Sequence, residues 1–311
     1  MFNWKTIKKP ILCLSPMADY TDSPFSLICR KMGADVIYRE MVSAEAVVRG
    51  NEKTLKMAEF EERERPVILQ IFGRKPEIMA RAARILEEKY VPDGIDINMG
   101  CPAKKIISDF NGASLMKEPE LAVKIVEAVK SAVAVPVSVK TRTGWADEKE
   151  ILKFAPMMEK AGADAIAIHG RTKSMGYSGK ANWEIIARAK EKLSIPVLAN
   201  GDIHDFESFK KAVETTGADG FLIGRGALGN PWIFWNLKNK KDARPHLTEI
   251  KKIILEHAKL HLARYGERGL VTFRKHLVYY FKGAPGAKKI REELVRIKSL
   301  KDLTEALKII K

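Results

Sequence analysis

The chain has 311 residues, 46 % of them hydrophobic and 30 % charged, with a formal net charge of +16. That length suits one large domain with a small appendage, or two ordinary domains, and no run approaches the roughly 18 to 20 uninterrupted apolar residues of a membrane span. The three cysteines, Cys13, Cys29 and Cys101, are an odd number at spacings that match no disulfide or zinc pattern.

Taken in chain order, the first ten residues lack the long apolar stretch and small-residue cleavage site of a signal peptide, so a cytoplasmic protein is expected. From there the pattern predicts short, apolar, β-branched strands at 11–17, 35–39, 67–72, 94–98, 137–141, 165–169, 197–200 and 220–223. Segments with helical spacing lie between them, among them 76–89, 119–133, 148–161, 183–193 and 205–216. Pro119 and Asp205 read as helix starts, and Gly162 and Gly217 as helix ends. Strand followed by helix, eight times over, implies a parallel sheet closed into a (β/α)₈ TIM barrel. A doubly wound open sheet is the alternative. It usually carries a Gly-rich turn after the first strand, where this chain has Pro16-Met17-Ala18-Asp19.

After Trp235 the pattern turns all-helical, with helices predicted at 247–265, 271–281, 288–298 and 300–310. Turn signals separate them at Gly266/Gly269 and at Gly283-Ala284-Pro285-Gly286. The division expected is a barrel over 1–236 and a small helical domain over 237–311. The charge divides with it. The last 75 residues hold 20 Lys and Arg against 8 Asp and Glu, and the first 236 hold 35 against 31. Such asymmetry points to a polyanion partner, most often nucleic acid, or to a solvated lysine-rich surface.

A barrel places its site at the C-terminal ends of its strands. Those ends carry Ser15-Pro16-Met17-Ala18, Arg39-Glu40, Gln70, Asn98 with Cys101, Lys140 with Arg142, His169 with Arg171, Asn200-Gly201-Asp202, and Gly224-Arg225-Gly226. The last two combine glycines, free N–H groups before helices and an arginine, which fits a phosphate site after strands seven and eight. Lys140 interrupts an apolar strand, so it is either ion-paired or set against an anionic group. His169 could be a base, a phosphate ligand or a satisfied polar residue. His257 and His261 have the i, i+4 spacing of metal ligands, but no third ligand is evident and a solvated helix face is expected.

Together these ends resemble one family. Ser15-Pro16-Met17-Ala18-Asp19-Tyr20-Thr21-Asp22-Ser23-Pro24-Phe25 looks like the opening motif of the tRNA-dihydrouridine synthases. Asp96-Ile97-Asn98-Met99-Gly100-Cys101-Pro102-Ala103-Lys104-Lys105 looks like their central signature. Val139-Lys140-Thr141-Arg142, His169-Gly170-Arg171-Thr172, Asn200-Gly201-Asp202-Ile203 and Gly224-Arg225-Gly226 follow in the family's order. The resemblance implies FMN as cofactor, NADPH or NADH as reductant and tRNA as partner, in a monomer without metal. Pro16, Met17, Ala18 and Gln70 would line the flavin, and Lys140 would face its N1/O2 edge. His169, Asn200, Gly201, Asp202, Gly224 and Arg225 would hold its phosphate and ribityl chain. Asn98 would face the uracil, and Lys104, Lys105, Arg142 and Arg171 would contact RNA at the mouth. The basic helical tail would bind tRNA phosphates.

The activity implied is reduction of specific uridines to 5,6-dihydrouridine, with hydride from flavin N5 to C6 and a proton from Cys101 to C5. An ordinary thiol, with a pKa of about 8.5, holds its proton at neutral pH and can still release it, whereas an ordinary carboxylic acid is already ionised. The uridine would have to be turned out of the folded RNA. The chain departs from the family pattern at Asp19-Tyr20, where glycine is more usual, and in the loop over 106–116. Two other readings are an FMN barrel acting on a free pyrimidine or enone, and a barrel that binds RNA without catalysis. The first leaves the basic tail without a use, and the second leaves Cys101 and Lys140 without one.

Overall fold

The computed structural model describes residues 2–282, 292, 294 and 296–310. Nine parallel strands occur among them: β1 Ile11–Leu14, β2 Val36–Tyr38, β3 Val42–Ser43, β4 Val67–Phe72, β5 Gly94–Met99, β6 Val137–Arg142, β7 Ala165–His169, β8 Val197–Asn200 and β9 Gly220–Ile223. β1 pairs with β2 and β9, β2 pairs with β4, and β4 to β9 pair in sequence. Eight strands therefore close a ring with helices between them, the TIM barrel predicted. β3 lies outside that ring and extends the upper end of β4, pairing Val42 with Ile71 and Ser43 with Phe72. β3 and the short helices Ala44–Val48 and Glu52–Ala58 fall in a stretch where no element was predicted.

Strand alternation sorts the side chains into two layers. Ile11, Cys13, Val36, Tyr38, Ile68, Ala165, Ala167, Leu198 and Leu222 point into the barrel, where Trp4 joins them. Their neighbours Leu12, Leu14, Val67, Leu69, Ile95, Ile97, Val137, Val139, Ile166 and Ile168 point outward under the helices. β1 is shorter than predicted because Pro16 has no N–H for the ladder. Its last bond is Ser15 N–H to the Ile223 carbonyl at 2.9 Å, and from there the chain turns into the barrel mouth.

The helix predicted over 148–161 opens as a 3₁₀ turn, Glu148–Glu150, before Ile151–Lys160. Helix Phe206–Thr216 starts on its Asp205 cap, whose carboxylate accepts from Ser208 N–H at 2.7 Å. It ends on Gly217 at φ 54°, the left-handed stop predicted.

The tail contains helices Leu247–Tyr265, Gly269–Tyr280 and Leu300–Ile309. The turn predicted at 283–286 and most of the helix predicted at 288–298 lie outside the described residues. Ile250, Ile254, Ala258, Leu270, Phe273, Leu277, Leu303 and Leu307 form a second apolar cluster, completed by Trp232 and by Ile28 of helix Ser23–Lys31. Among the described residues no helix is long and apolar enough to cross a membrane.

Candidate active site

A cavity of about 770 Å³ opens at the C-terminal ends of the strands. It gathers residues nominated from seven separate segments. Pro16, Met17 and Ala18 enter from the loop after β1, Gln70 from β4, and Asn98, Cys101 and Lys104 from β5 and its loop. Lys140 and Arg142 enter from β6 and His169 from β7. Asn200, Gly201 and Asp202 close the ring from β8, with Gly224 and Arg225 from β9. Lys105 and Arg171 are not among its lining residues.

The register sets a polar chain across one side of the barrel. Gln70 is paired with Asp96, and Asn98 with Lys140. Ser138 Oγ donates to Asp96 Oδ1 at 2.6 Å, Gln70 Nε2 donates to Asp96 Oδ2 at 2.7 Å, and Asn98 Nδ2 donates to Gln70 Oε1 at 2.9 Å. Because every donor finds an acceptor, both amides are locked in one orientation. Burial raises the pKa of Asp96 to about 7, partly offset by the Ser138 and Gln70 hydrogen bonds. The free face of the chain ends at Asn98 Oδ1, which accepts from the backbone N–H of Cys101 at 2.9 Å and of Gly100 at 3.2 Å.

Cationic groups line the other side. Burial, with Arg142 nearby, lowers the pKa of Lys140 to about 8, and its Nζ donates to Asn200 Oδ1 at 3.1 Å. Among the described residues it forms no carboxylate ion pair. His169 is held neutral, its pKa pushed well below the ordinary value by burial and by Lys140, Arg142, Arg171 and Arg225. Arg225 is half exposed at the mouth, and its guanidinium lies 4.9 Å from the centre of the Tyr177 ring. Asp202 is occupied: Arg171 Nη2 reaches both its oxygens at 2.8 and 2.7 Å, and Ala181 N–H donates at 2.7 Å. It therefore offers an anion its backbone and not its carboxylate.

Close backbone approach is enforced at the β8 and β9 turns. At Gly201, with φ 120°, a Cβ would stand 2.8 Å from Ala181 Cβ and 2.9 Å from His169 Cδ2. At Gly226 it would stand 2.3 Å from the Ile203 carbonyl oxygen. Only glycine fits either place.

Residues 13–311 match the family model described as dihydrouridine synthase. The chain belongs to the dihydrouridine synthase family. It is 40 % identical over 299 residues to a probable tRNA-dihydrouridine synthase 1 of Synechocystis sp., covering 93 % of this chain and 82 % of that protein. It is 40 % identical over 296 residues to tRNA-dihydrouridine synthase B of Pseudomonas aeruginosa, covering 92 % and 88 %. The solved structure of morphinone reductase shares the fold at TM-score 0.54 and 10 % identity, covering 80 % of this chain and 91 % of that one.

Members of this family are oxidoreductases, and the cofactor the family implies is a flavin. The cavity fits one. Among the described residues Lys140 is a partly buried cation without a carboxylate partner, Gly201, Gly224 and Gly226 bring backbone to the cavity wall where a phosphate could meet N–H groups, and Pro16, Met17 and Ala18 line it from the loop after β1. Gln70 lines the same cavity, although both ends of its amide are already engaged.

Two nominated arginines depart from the mouth contacts expected of them. Arg142 is 2 % exposed and donates to the carbonyls of Gly100 at 2.8 Å, Thr172 at 2.9 Å and Gly176 at 2.8 Å. Arg171 is equally buried, and besides Asp202 it holds the carbonyls of Ser178 and Gly179. Both brace the loops after β5 to β8. The reason is geometric: each sits at the base of a loop with unpaired carbonyls, and a guanidinium satisfies several at once. His257 and His261, expected on a solvated face, are completely buried.

Three residues that line or brace the cavity were not nominated from the sequence. Asp96 anchors the amide chain. Tyr177, 61 % exposed, stands at the mouth between Arg142 and Arg225. Tyr279 of the tail enters the cavity beside Tyr20, their hydroxyls 3.4 Å apart. Only Asp96 left a signal, as a buried carboxylate in an apolar strand.

Proposed function

We propose that this chain reduces specific uridines of tRNA to 5,6-dihydrouridine, using FMN reloaded by NADPH or NADH, with Cys101 as the proton donor. The observation that carries this reading is the meeting of Cys101, Lys140 and the glycine turns in one cavity. Bound FMN would supply the hydride for uracil C6. His169, Asn200, Gly201, Asp202, Gly224 and Arg225 would bind its phosphate and ribityl chain. Lys140 would balance negative charge on the ring, which a desolvated cation does far better than a hydrated one.

Cys101 would deliver its Sγ proton to C5 on the opposite face of the base and then be reprotonated from solvent. Asn98 would fix the height of Cys101 through the backbone. Tyr177 and Arg225 at the mouth offer a stacking surface to the turned-out nucleoside.

Support for tRNA as substrate comes from the names of the relatives and from a basic path. A second cleft of about 520 Å³ adjoins the first and shares Arg225, Gly226 and Tyr279 with it. It carries Arg244 and Lys282, both exposed. The path leads from the reacting centre to the helical tail, which is where phosphates flanking the target would run.

The decisive experiment incubates the purified chain and the Cys101→Ala variant with FMN, NADPH and unmodified tRNA, and counts dihydrouridine by mass spectrometry of nucleosides. Expected are dihydrouridine with the wild-type chain and a rate about 10² to 10⁴ lower with the variant, at unchanged flavin and tRNA binding. No product from wild type overturns the activity, and a wild-type rate in the variant overturns the acid. Equal reduction of free uridine would shift the reading to a small-molecule reductase.

A further inference from the structure

The two histidines at metal-ligand spacing have found their missing partners. Three of the chain's six histidines, His257 and His261 on helix Leu247–Tyr265 and His276 on helix Gly269–Tyr280, converge on Asp22, the cap of helix Ser23–Lys31. One ligating atom from each lies within 4.8 Å of the other three. The four side chains are 3 %, 0 %, 0 % and 1 % exposed for Asp22, His257, His261 and His276. We propose that Asp22, His257, His261 and His276 form a closed structural site for one divalent transition-metal ion, zinc by preference.

Several independent features point to an ion. His257 Nε2, His276 Nε2 and both ring nitrogens of His261 are buried without a hydrogen-bond partner. A folded protein rarely leaves such atoms orphaned, and one ion would take up three of these four, one from each ring. The other nitrogen of His257, Nδ1, lies 3.0 Å from Tyr280 Oη. That is how a ligating imidazole is oriented from behind, with its far nitrogen left bare. Asp22 is supported in the same way: Phe25 N–H donates to Oδ1 at 3.1 Å and Tyr265 Oη–H to Oδ2 at 3.3 Å. His261 Nε2 already stands 3.4 Å from Asp22 Oδ2.

Burial keeps all three imidazoles neutral, the form that ligates: His257 and His276 fall well below the ordinary value and His261 to about 4. The surroundings are dry, with Phe25 stacked on His257 at 5.6 Å between ring centres and Phe273 edge-on at 4.8 Å.

Three imidazoles and one carboxylate, with no open side to solvent, match zinc's preference for four N and O donors. The edge of such a tetrahedron is about 3.4 Å for bonds of about 2.1 Å, so ligand atoms now within 4.8 Å of one another would close by up to about 1.4 Å on binding. An ion here would tie the loop after β1, which lines the cavity through Pro16, Met17 and Ala18, to two helices of the tail. It would contribute no chemistry to the reaction, since Cys101 belongs to a different wall.

The test is elemental analysis of the full-length chain as isolated, after gel filtration and again after zinc is added and excess removed with a weak chelator. Expected is about one zinc per chain, with an X-ray absorption spectrum of about three imidazoles and no sulfur. His261→Gln and His276→Gln should each lose the metal while circular dichroism reports a folded chain. Less than about a tenth of an ion per chain after both treatments overturns the site, as does a sulfur shell in the absorption spectrum. Metal retained undiminished by both folded variants also overturns it. If the variants fail to fold, the wild-type stoichiometry and spectrum decide alone. None of these readings depends on flavin content or on uridine reduction.

Discussion

Asn98 Oδ1 holds the backbone N–H of Cys101 at 2.9 Å and that of Gly100 at 3.2 Å, so the thiol's position is set by an amide three residues earlier. That amide cannot rotate, because its Nδ2 donates to Gln70 and Gln70 donates to Asp96. Asn98→Ala should therefore slow dihydrouridine formation by about 10- to 100-fold, the scale on which a catalytic group displaced by an ångström fails. The flavin absorbance per chain should stay within a factor of two. Single-turnover kinetics with pre-reduced enzyme measures the first, and an undiminished rate would separate Asn98 from the positioning of Cys101.

Lys140 gives the site a pH dependence whose sign is fixed. Its folded pKa is lowered to about 8, so the charged form is disfavoured by folding and the ammonium persists only below about that pH. An anionic cofactor needs that charge. Affinity for FMN should be highest below pH 8 and fall as the pH rises through it, by up to tenfold per unit. Fluorescence titration of FMN across pH 6 to 10 should show the slope in wild type and lose it in Lys140→Gln. An identical slope in the variant would assign the titration elsewhere.

Arg142 serves the fold. Its guanidinium satisfies three loop carbonyls from a position 2 % exposed. Arg142→Met leaves those acceptors buried and unpaired, and unfolding should become easier by about 2 to 4 kcal/mol. Thermal denaturation checks this. A variant as stable as wild type but weak in tRNA binding would return Arg142 to the mouth.

Arg244 and Lys282 test the basic path. Replacing both with alanine should weaken tRNA binding and reduce the slope of log affinity against log salt by about 1.4 to 1.8, the effect of two lost phosphate contacts. FMN affinity should not change. Filter binding between 50 and 300 mM salt provides the slope; an unchanged slope would remove these residues from the interface.

Much of this was legible in the chain. Eight apolar β-branched runs marked the ring, and the rule that barrels work at strand ends picked out Cys101, Lys140 and the glycine turns. What stayed hidden depended on distant partners. Arg142 and Arg171 look like any mouth arginine until loops 170–180 are seen folded over them. His257 and His261 share a helix face, but their spacing cannot say which way it points. The deciding residue, Asp22, lies more than 230 positions earlier. β3 is only two residues long and is held by β4, so local propensity had nothing to register.

Ile28 belongs to a barrel helix yet packs in the core of the tail alongside Leu270, Phe273 and Leu277. A side chain shared in this way couples the two parts, since melting the tail exposes apolar surface on the barrel helix, and the two are expected to unfold together. Calorimetry should record a single heat-absorption peak. A protein engineer who cuts the tail away would then obtain an aggregating barrel in place of a simplified enzyme, so RNA binding is better dissected by surface substitution than by truncation.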